Sequence, residues 1–337
     1  MTAVLVTGGA GYIGSHAVKA LRRAGHQVVV YDNFLAGHRP AAEAALGGAG
    51  TLVEGDIRDT PRLTDTLKSH GIGAVMHFAA SLSVGASVKD PVGYYTNNVI
   101  GAVSVLQSMV TAGLTKLVFS STAAVFGNPE RTPITEDHPT RPINPYGETK
   151  LAVERALPHF ERAYGLRSIT LRYFNAAGAD PDGELGEDHE PEEHVIPRAL
   201  DAALGRGSFQ VFGEDYETPD GTCLRDYVHV TDLAEAHLLA LKALIAEAKS
   251  TRYNLGNGRP TSVRQVLDAV KRVTGKAVPY APGPRRAGDP AVLYASSDLI
   301  RNELGWQPRF EDIDTIVETA WRWREAHPSG YRSRAGR

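Results

Sequence analysis

Residues Val4 to Asp32 constrain the fold more than any other stretch of this chain. Val4-Leu5-Val6-Thr7 is a short apolar, β-branched run that empties into Gly8-Gly9-Ala10-Gly11-Tyr12-Ile13-Gly14. Helix formers occupy Ser15 to Ala24 and stop at Gly25; a second apolar run, Val28-Val29-Val30-Tyr31, closes on Asp32-Asn33. Strand, glycine turn, helix, strand and acid follow one another in the order that a dinucleotide site requires. Glycine at positions 8, 11 and 14 lets the backbone turn tightly and approach a pyrophosphate with no Cβ in between. The helix that follows aims its free N–H groups and positive end at the phosphates. Asp32, at the tip of the second strand, is placed to accept from both ribose hydroxyls. Its charge repels a 2′-phosphate, so NAD is expected rather than NADP.

The same alternation continues along the chain. Thr51 to Ile57 reads as a third strand ending in Asp56, a position from which a side chain meets an adenine. Leu63 to His70 reads as a helix, Ala74 to Ala80 as a buried strand, and Tyr94 to Val110 as a long helix opening at Asn97-Asn98. Apolar residues cover more than one face of that helix: one face packs on the sheet, and the other is either further core or a subunit contact. Leu117 to Thr122 is another strand, ending in three hydroxyls. Repeated βα units predict an α/β fold, a doubly wound parallel Rossmann sheet with ligands at the C-terminal ends of its strands.

A chain of 337 residues has room for two closely packed domains. A net charge of -3 and a pI of about 6.5 leave no basic footprint, which argues against nucleic acid or an anionic membrane surface as a partner. The single cysteine, Cys223, permits no intrachain disulfide and reads as an inert filler. The first strand begins at residue 3 or 4, too early for a leader peptide, and no apolar run reaches the length of a membrane span. A cytoplasmic protein is expected.

The candidate chemistry lies in Asn144-Pro145-Tyr146-Gly147-Glu148-Thr149-Lys150. Asn144 suits an N-cap, Pro145 the first helical position and Glu148 the first turn. Tyr146 and Lys150, four apart, then share one face of the helix. A free tyrosine has a pKa of about 10, too high for a base near neutrality. An ammonium one turn away, the helix N-terminus and a nearby nicotinamide cation would each favour the phenolate. With Thr122 hydrogen-bonded to the same substrate oxygen, Tyr146 and Lys150 could remove a proton from a secondary alcohol while its hydride leaves. The 12 histidines show no metal-ligand spacing, so no metal is expected. His189 and His194 fall in an acidic segment, Asp180 to Glu193, that reads as a solvated loop over the substrate.

The motifs Thr7-Gly8-Gly9-Ala10-Gly11-Tyr12-Ile13-Gly14, Glu54-Gly55-Asp56-Ile57-Arg58, His77-Phe78-Ala79, Leu171-Arg172-Tyr173-Phe174-Asn175, Arg225-Asp226-Tyr227 and Arg285-Arg286-Ala287-Gly288-Asp289 span almost the whole chain. On these the chain resembles the UDP-sugar 4-epimerases of the extended short-chain dehydrogenase/reductase family. The resemblance implies NAD as a fixed cofactor, a UDP-sugar as substrate, and interconversion of UDP-glucose and UDP-galactose. In that reaction C4 is oxidised to a 4-keto sugar, which rotates and is reduced on its other face. The resemblance also places Gly8, Gly11, Tyr12, Ile13, Gly14, Asp32, Asn33, Asp56, Ile57, Phe78, Ala79, Ala80, Asn97, Ser120, Tyr146, Lys150 and Tyr173 at the cofactor. Thr122, Tyr146, Asn175, His194, Val195, Gln210, Phe212, Arg225, Tyr227, Arg286, Asp289 and Leu293 fall at the substrate. Two arginines suit a pyrophosphate, because the guanidinium fork matches phosphate oxygens.

Departures from the family pattern sharpen this reading. Leu82 stands where a lysine is common, His194 where an asparagine is common, and Leu293 where residue size gates the 2-position of the sugar. Leucine is intermediate, which favours glucose and galactose over UDP-GlcNAc/GalNAc or UDP-xylose/arabinose. Ala123-Ala124 after Thr122 lack the acid of a 4,6-dehydratase, and the presence of both Tyr146 and Lys150 argues against a non-catalytic NAD-binding sensor. The expected division is a cofactor domain of residues 1–175 plus about 227–256, and a nucleotide-sugar domain of about 176–226 plus 257–337. A homodimer through the two long helices and a disordered tail from Arg332 complete the expectation.

Overall fold

The computed structural model describes residues 2–286 and 290–332. Its centre is a seven-stranded sheet in which every pairing is parallel. The strands are β1 (Ala3–Thr7), β2 (Gln27–Asp32), β3 (Thr51–Glu54), β4 (Ala74–His77), β5 (Lys116–Thr122), β6 (Arg167–Tyr173) and the later strand Thr251–Leu255. Across the sheet they run Thr251–Leu255, β6, β5, β4, β1, β2, β3. The order reverses between β1 and β4, and such a switch point opens a crevice at the strand C-termini.

Why the strands read as continuous apolar runs is plain from their side chains. Val4 and Val6 face a layer with Val18 and Leu21 of the first helix, α1 (Tyr12–Arg23), whereas Leu5 faces Leu106 and Met109 on the other side. Both faces are covered, so the alternate positions Val4, Leu5 and Val6 are all apolar. The helix Val230–Ile245 lies beside α1, and the strand Thr251–Leu255 then joins β6. Apart from the sheet, the helices Val195–Ala203, Val263–Thr274 and Ile313–Ala326 pack around Ile196, Leu200, Val266, Val270 and Ile316. Two short sheets flank them, Phe209–Phe212 with Tyr280–Gly283, and Leu224–Arg225 between Thr261–Ser262 and Val292–Leu293.

The long helix expected from Tyr94 runs instead from Pro91 to Thr111 and is interrupted by a π segment, Tyr95–Ile100. Apolar periodicity cannot show a widened turn, because one extra residue leaves composition unchanged. Arg332, expected to begin a disordered tail, is described and pairs with Glu190; residues 333–337 and Asp289 lie outside the described residues.

A buried ion pair joins the helix Pro145–Tyr164 to the sheet. Glu154 receives Arg172 Nη2 at 2.5 Å and Nε at 3.0 Å, and the Ser121 hydroxyl at 2.5 Å. Arg172 is 0% exposed, so neither partner can fall back on water. Glu154→Leu should therefore cost about 3–5 kcal/mol, seen as a lowered urea midpoint. The double variant Glu154→Leu/Arg172→Met should recover most of that loss.

Candidate active site

Strand register brings the predicted cofactor residues to one edge. Thr7 pairs with His77, His77 with Phe119, and Thr122 with Tyr173. The backbones of Phe78 and Ala79 both donate to the Thr7 carbonyl, at 2.9 and 3.1 Å, which draws this segment against the glycine turn. Gly8 has φ +74°, and a Cβ there would stand 2.5 Å from the Ala79 nitrogen. A Cβ on Gly14 would lie 2.1 Å from the Gly8 oxygen, so these two glycines let α1 seat on β1. Gly11 differs: its nearest protein atom would be 3.4 Å away, so the fold itself does not demand glycine there. α1 starts at Gly11 with no side-chain cap and no acid in its first turn, which leaves its N–H groups to an anion.

Asp32 is buried, and its carboxylate accepts from the Ala10 N–H at 3.0 Å and the Phe34 N–H at 2.9 Å. Burial raises its pKa while those donors oppose the rise. Asn33 donates to Asp56 at 3.2 Å, and Arg58 grips the same carboxylate at 2.8 and 2.6 Å. Arg58 thereby holds Asp56 well below the usual carboxylate range. The Tyr12 hydroxyl donates to the Gly178 carbonyl at 2.6 Å, tying the turn to the later half of the chain. A capless helix start, a glycine cradle and an acid at the next strand end fit a dinucleotide such as NAD.

At the catalytic triplet, Asn144 caps the helix by accepting from the Gly147 N–H at 2.9 Å. Tyr146, one turn before Lys150, lies close enough to Thr122 at the end of β5 for that hydroxyl to lower its pKa. Lys150 is buried and donates to the Ser120 carbonyl at 3.0 Å, its ammonium 5.3 Å from the centre of the Phe119 ring. Burial lowers the Lys150 pKa to about 8. It also raises Tyr146 to about 12, with Thr122 pulling the other way, so in the protein alone burial works against the phenolate that the ammonium, the helix N-terminus and a nicotinamide cation would favour. The Ser120 hydroxyl meets the Tyr173 hydroxyl beside this triplet, and burial pushes Tyr173 up as well.

The predicted substrate residues come from separate short strands. Asn175 donates through its side chain to the Asp226 carbonyl at 3.0 Å. Arg225 is buried and pairs in register with Leu293, which packs against Phe126 and Phe174 beside the Thr122 strand end. Gln210 and Phe212 lie on the strand paired with Tyr280–Gly283, and the Arg286 guanidinium stacks 4.0 Å from the centre of the Phe212 ring. Tyr227 is buried, and its carbonyl accepts from Asn257 at 2.6 Å. Val195 begins a helix that His194 precedes.

The acidic segment is solvated in part, with Asp182, Glu184, Glu190 and Glu193 exposed, but it is also anchored in the fold. Lys19 reaches Asp180 at 2.5 Å and both are buried; Leu185 and Glu187 are buried too. Burial works against a charged His194, but Glu187 and Glu192, at 2.8 and 2.9 Å, raise its pKa well above the ordinary value.

Three contributors escaped the sequence reading. Asn98, next to the predicted Asn97, accepts from the Ser81 N–H at 2.8 Å and donates to Thr149 at 3.1 Å, linking the Ala79–Ser81 backbone to the catalytic helix. Asp226, within the quoted Arg-Asp-Tyr run, accepts from the N–H groups of Asn257, Gly258 and Ala295 at 2.7, 3.2 and 3.1 Å. It joins three loops. Glu154, i+4 from Lys150, could have been found by extending the helix face one turn.

A family model described as the NAD dependent epimerase/dehydratase family matches residues 4–256. The chain is 51% identical to the UDP-glucose 4-epimerase of Halalkalibacterium halodurans over 330 residues, 98% of this chain and 97% of that one. It is similar to the crystal structure of UDP-glucose 4-epimerase from Brucella ovis in complex with NAD, with a TM-score of 0.92 and 51% identity over 95% of this chain and 98% of that one. It is also similar to the Bifidobacterium longum UDP-glucose 4-epimerase in complex with NAD+ and UDP, with a TM-score of 0.92 and 38% identity over 98% and 100% of the two chains.

Because Gly11 has room for a methyl group in the protein alone, Gly11→Ala separates folding from cofactor binding. It should keep the far-UV circular dichroism of the parent yet copurify with less NAD by about tenfold or more, a loss of about 1.4 kcal/mol in binding.

Proposed function

This chain belongs to the NAD dependent epimerase/dehydratase family, and on that premise we propose that its site interconverts UDP-glucose and UDP-galactose. The protein is an isomerase: C4 of the sugar is oxidised, the 4-keto sugar turns, and it is reduced again with the opposite configuration. NAD, when bound, supplies the hydride chemistry. The chain's own residues do the rest. Gly8, Gly11, Gly14 and the start of α1 receive the pyrophosphate; Asp32 and Asn33 serve the ribose; Asp56 and Ile57 serve the adenine. Phe78, Ala79, Ala80, Asn97, Ser120 and Tyr173 surround the far end.

Tyr146 takes the proton of the 4-hydroxyl and later returns it, with Thr122 hydrogen-bonded to the same oxygen and Lys150 one turn behind. The observation that carries this reading is the helix that sets Tyr146 one turn before Lys150, whose ammonium donates to the Ser120 carbonyl at 3.0 Å at the sheet edge where the glycine turn opens. On the substrate side, Arg225 and Arg286 meet the UDP phosphates, Asn175, His194, Val195, Gln210, Phe212 and Tyr227 frame the nucleotide, and Leu293 limits the 2-position. Ala123 and Ala124 supply no second acid, which argues against dehydration.

Exposed Val88, Val92, Ile100 and Val103 make an apolar stripe along residues 84–111. A second copy of the chain covering that stripe, as a homodimer in the cytoplasm, suits a protein with one cysteine. Among the described residues, no helix is long and apolar enough to cross a membrane.

Proton NMR of UDP-galactose, UDP-N-acetylgalactosamine and UDP-arabinose, each incubated with the purified protein, should show UDP-galactose converted fastest. Tyr146→Phe should slow that conversion by about 10²–10⁴-fold while bound NAD remains. Normal turnover by that variant would remove Tyr146 from its role.

A further inference from the structure

One cluster of side chains of metal-ligating type adjoins the site just described and shares His194 with it. Glu187, His189, Glu192 and His194 come from a single eight-residue segment, and their ligand atoms all lie within 4.8 Å of one another. Nδ1 of His194 is 2.8 Å from Glu187 Oε1 and 2.9 Å from Glu192 Oε1. Nδ1 of His189 is 3.3 Å from Glu187 Oε1 and 3.5 Å from Glu192 Oε2. Each imidazole thus faces both carboxylates.

Of these contacts only that of His194 Nδ1 with Glu192 Oε1 has hydrogen-bonding geometry. Glu187 is 8% exposed, yet its Oε1 has no partner in hydrogen-bonding geometry, and neither does the buried Nδ1 of His189. A buried carboxylate oxygen left so is costly unless something else satisfies it. Metal bonds of about 2.0–2.1 Å at tetrahedral angles would hold ligand atoms about 3.3–3.4 Å apart. The four observed spacings straddle that value, and with all four ligand atoms within 4.8 Å of one another, shifts of up to about an ångström would complete the coordination.

We infer that Glu187, His189, Glu192 and His194 bind one divalent transition-metal cation of the zinc class. Two imidazoles select against calcium and magnesium, which take oxygen ligands. Four protein ligands leave no open position for substrate or water, which makes the site structural rather than catalytic. Bound there, the cation closes residues 187–194 into a loop. The His189 ring stands edge-on to Tyr12 of the glycine turn, with 6.2 Å between ring centres, and His194 leads into the helix that begins at Val195. The cation would fix the segment that bridges the two.

The test uses the full chain without an affinity tag, stripped with chelator and titrated with Co²⁺, followed by displacement with Zn²⁺. One equivalent per chain should produce the visible d–d bands of tetrahedral Co²⁺, and Zn²⁺ should abolish them. His189→Ala and Glu192→Gln should each weaken Zn²⁺ binding by at least about tenfold, whereas His159→Ala, an exposed histidine on another helix, should not. Absence of the bands in the parent protein, or binding unchanged in both ligand variants, would overturn the inference and leave an ion-pair cluster only. The titration of the parent protein decides the matter even if a variant fails to fold, and no readout depends on epimerisation.

Discussion

Glu154 stands where three elements meet. It belongs to the helix that carries Tyr146 and Lys150, it accepts from Ser121 on β5, and it holds Arg172 on β6. In a dry interior such a pair has no alternative partners, so its geometry becomes an alignment device. Helix rotation would break bonds that nothing else replaces. The contact of Lys150 with the Ser120 carbonyl, beside the proposed base Tyr146, is set one turn away from that anchor. Conservation of charge inside the core therefore serves placement more than stability.

The two ligand halves are organised on different principles. The side proposed for the cofactor is built into the central sheet, with glycine at 8 and 14 where a Cβ would meet the backbone of Ala79 or Gly8. The substrate side is assembled from strands of two to four residues and from loops, which Asp226 draws together through backbone donors. Rigid placement suits the half where hydride must travel a short, fixed path. Short strands and loops suit the half where a sugar turns over between two faces.

How much of this could be read beforehand depended on the range of the interactions. The turn from Val4 to Asp32 and the cap at Asn144 are local, and both stand as the sequence suggested. Tyr146 and Lys150 share a helix face by simple periodicity. The π segment was not legible, since widening a turn changes no residue type. Nor was the pairing of Glu154 with Arg172, which depends on the packing of a helix against β6. The desolvation of Tyr146 was not legible for a related reason: a neighbouring ammonium can be counted from spacing, but burial of the ring exists only once the fold encloses it. Asp180 to Glu193 looked wholly wet because its composition is acidic, although Lys19 and two histidines pair with its buried Asp180 and Glu187 from within the fold.

The widened turn at Tyr95–Ile100 has a bearing on how this helix could change. An α-helix advances about 100° per residue, so a π segment resets the phase of everything after it. Ala102, Val105, Leu106 and Met109 meet the sheet, while Asn98 turns toward Ser81 and Thr149. Removing one residue from the segment would regularise the helix and force a choice between those two allegiances. The irregularity is what allows a single rod to be both wall and instrument.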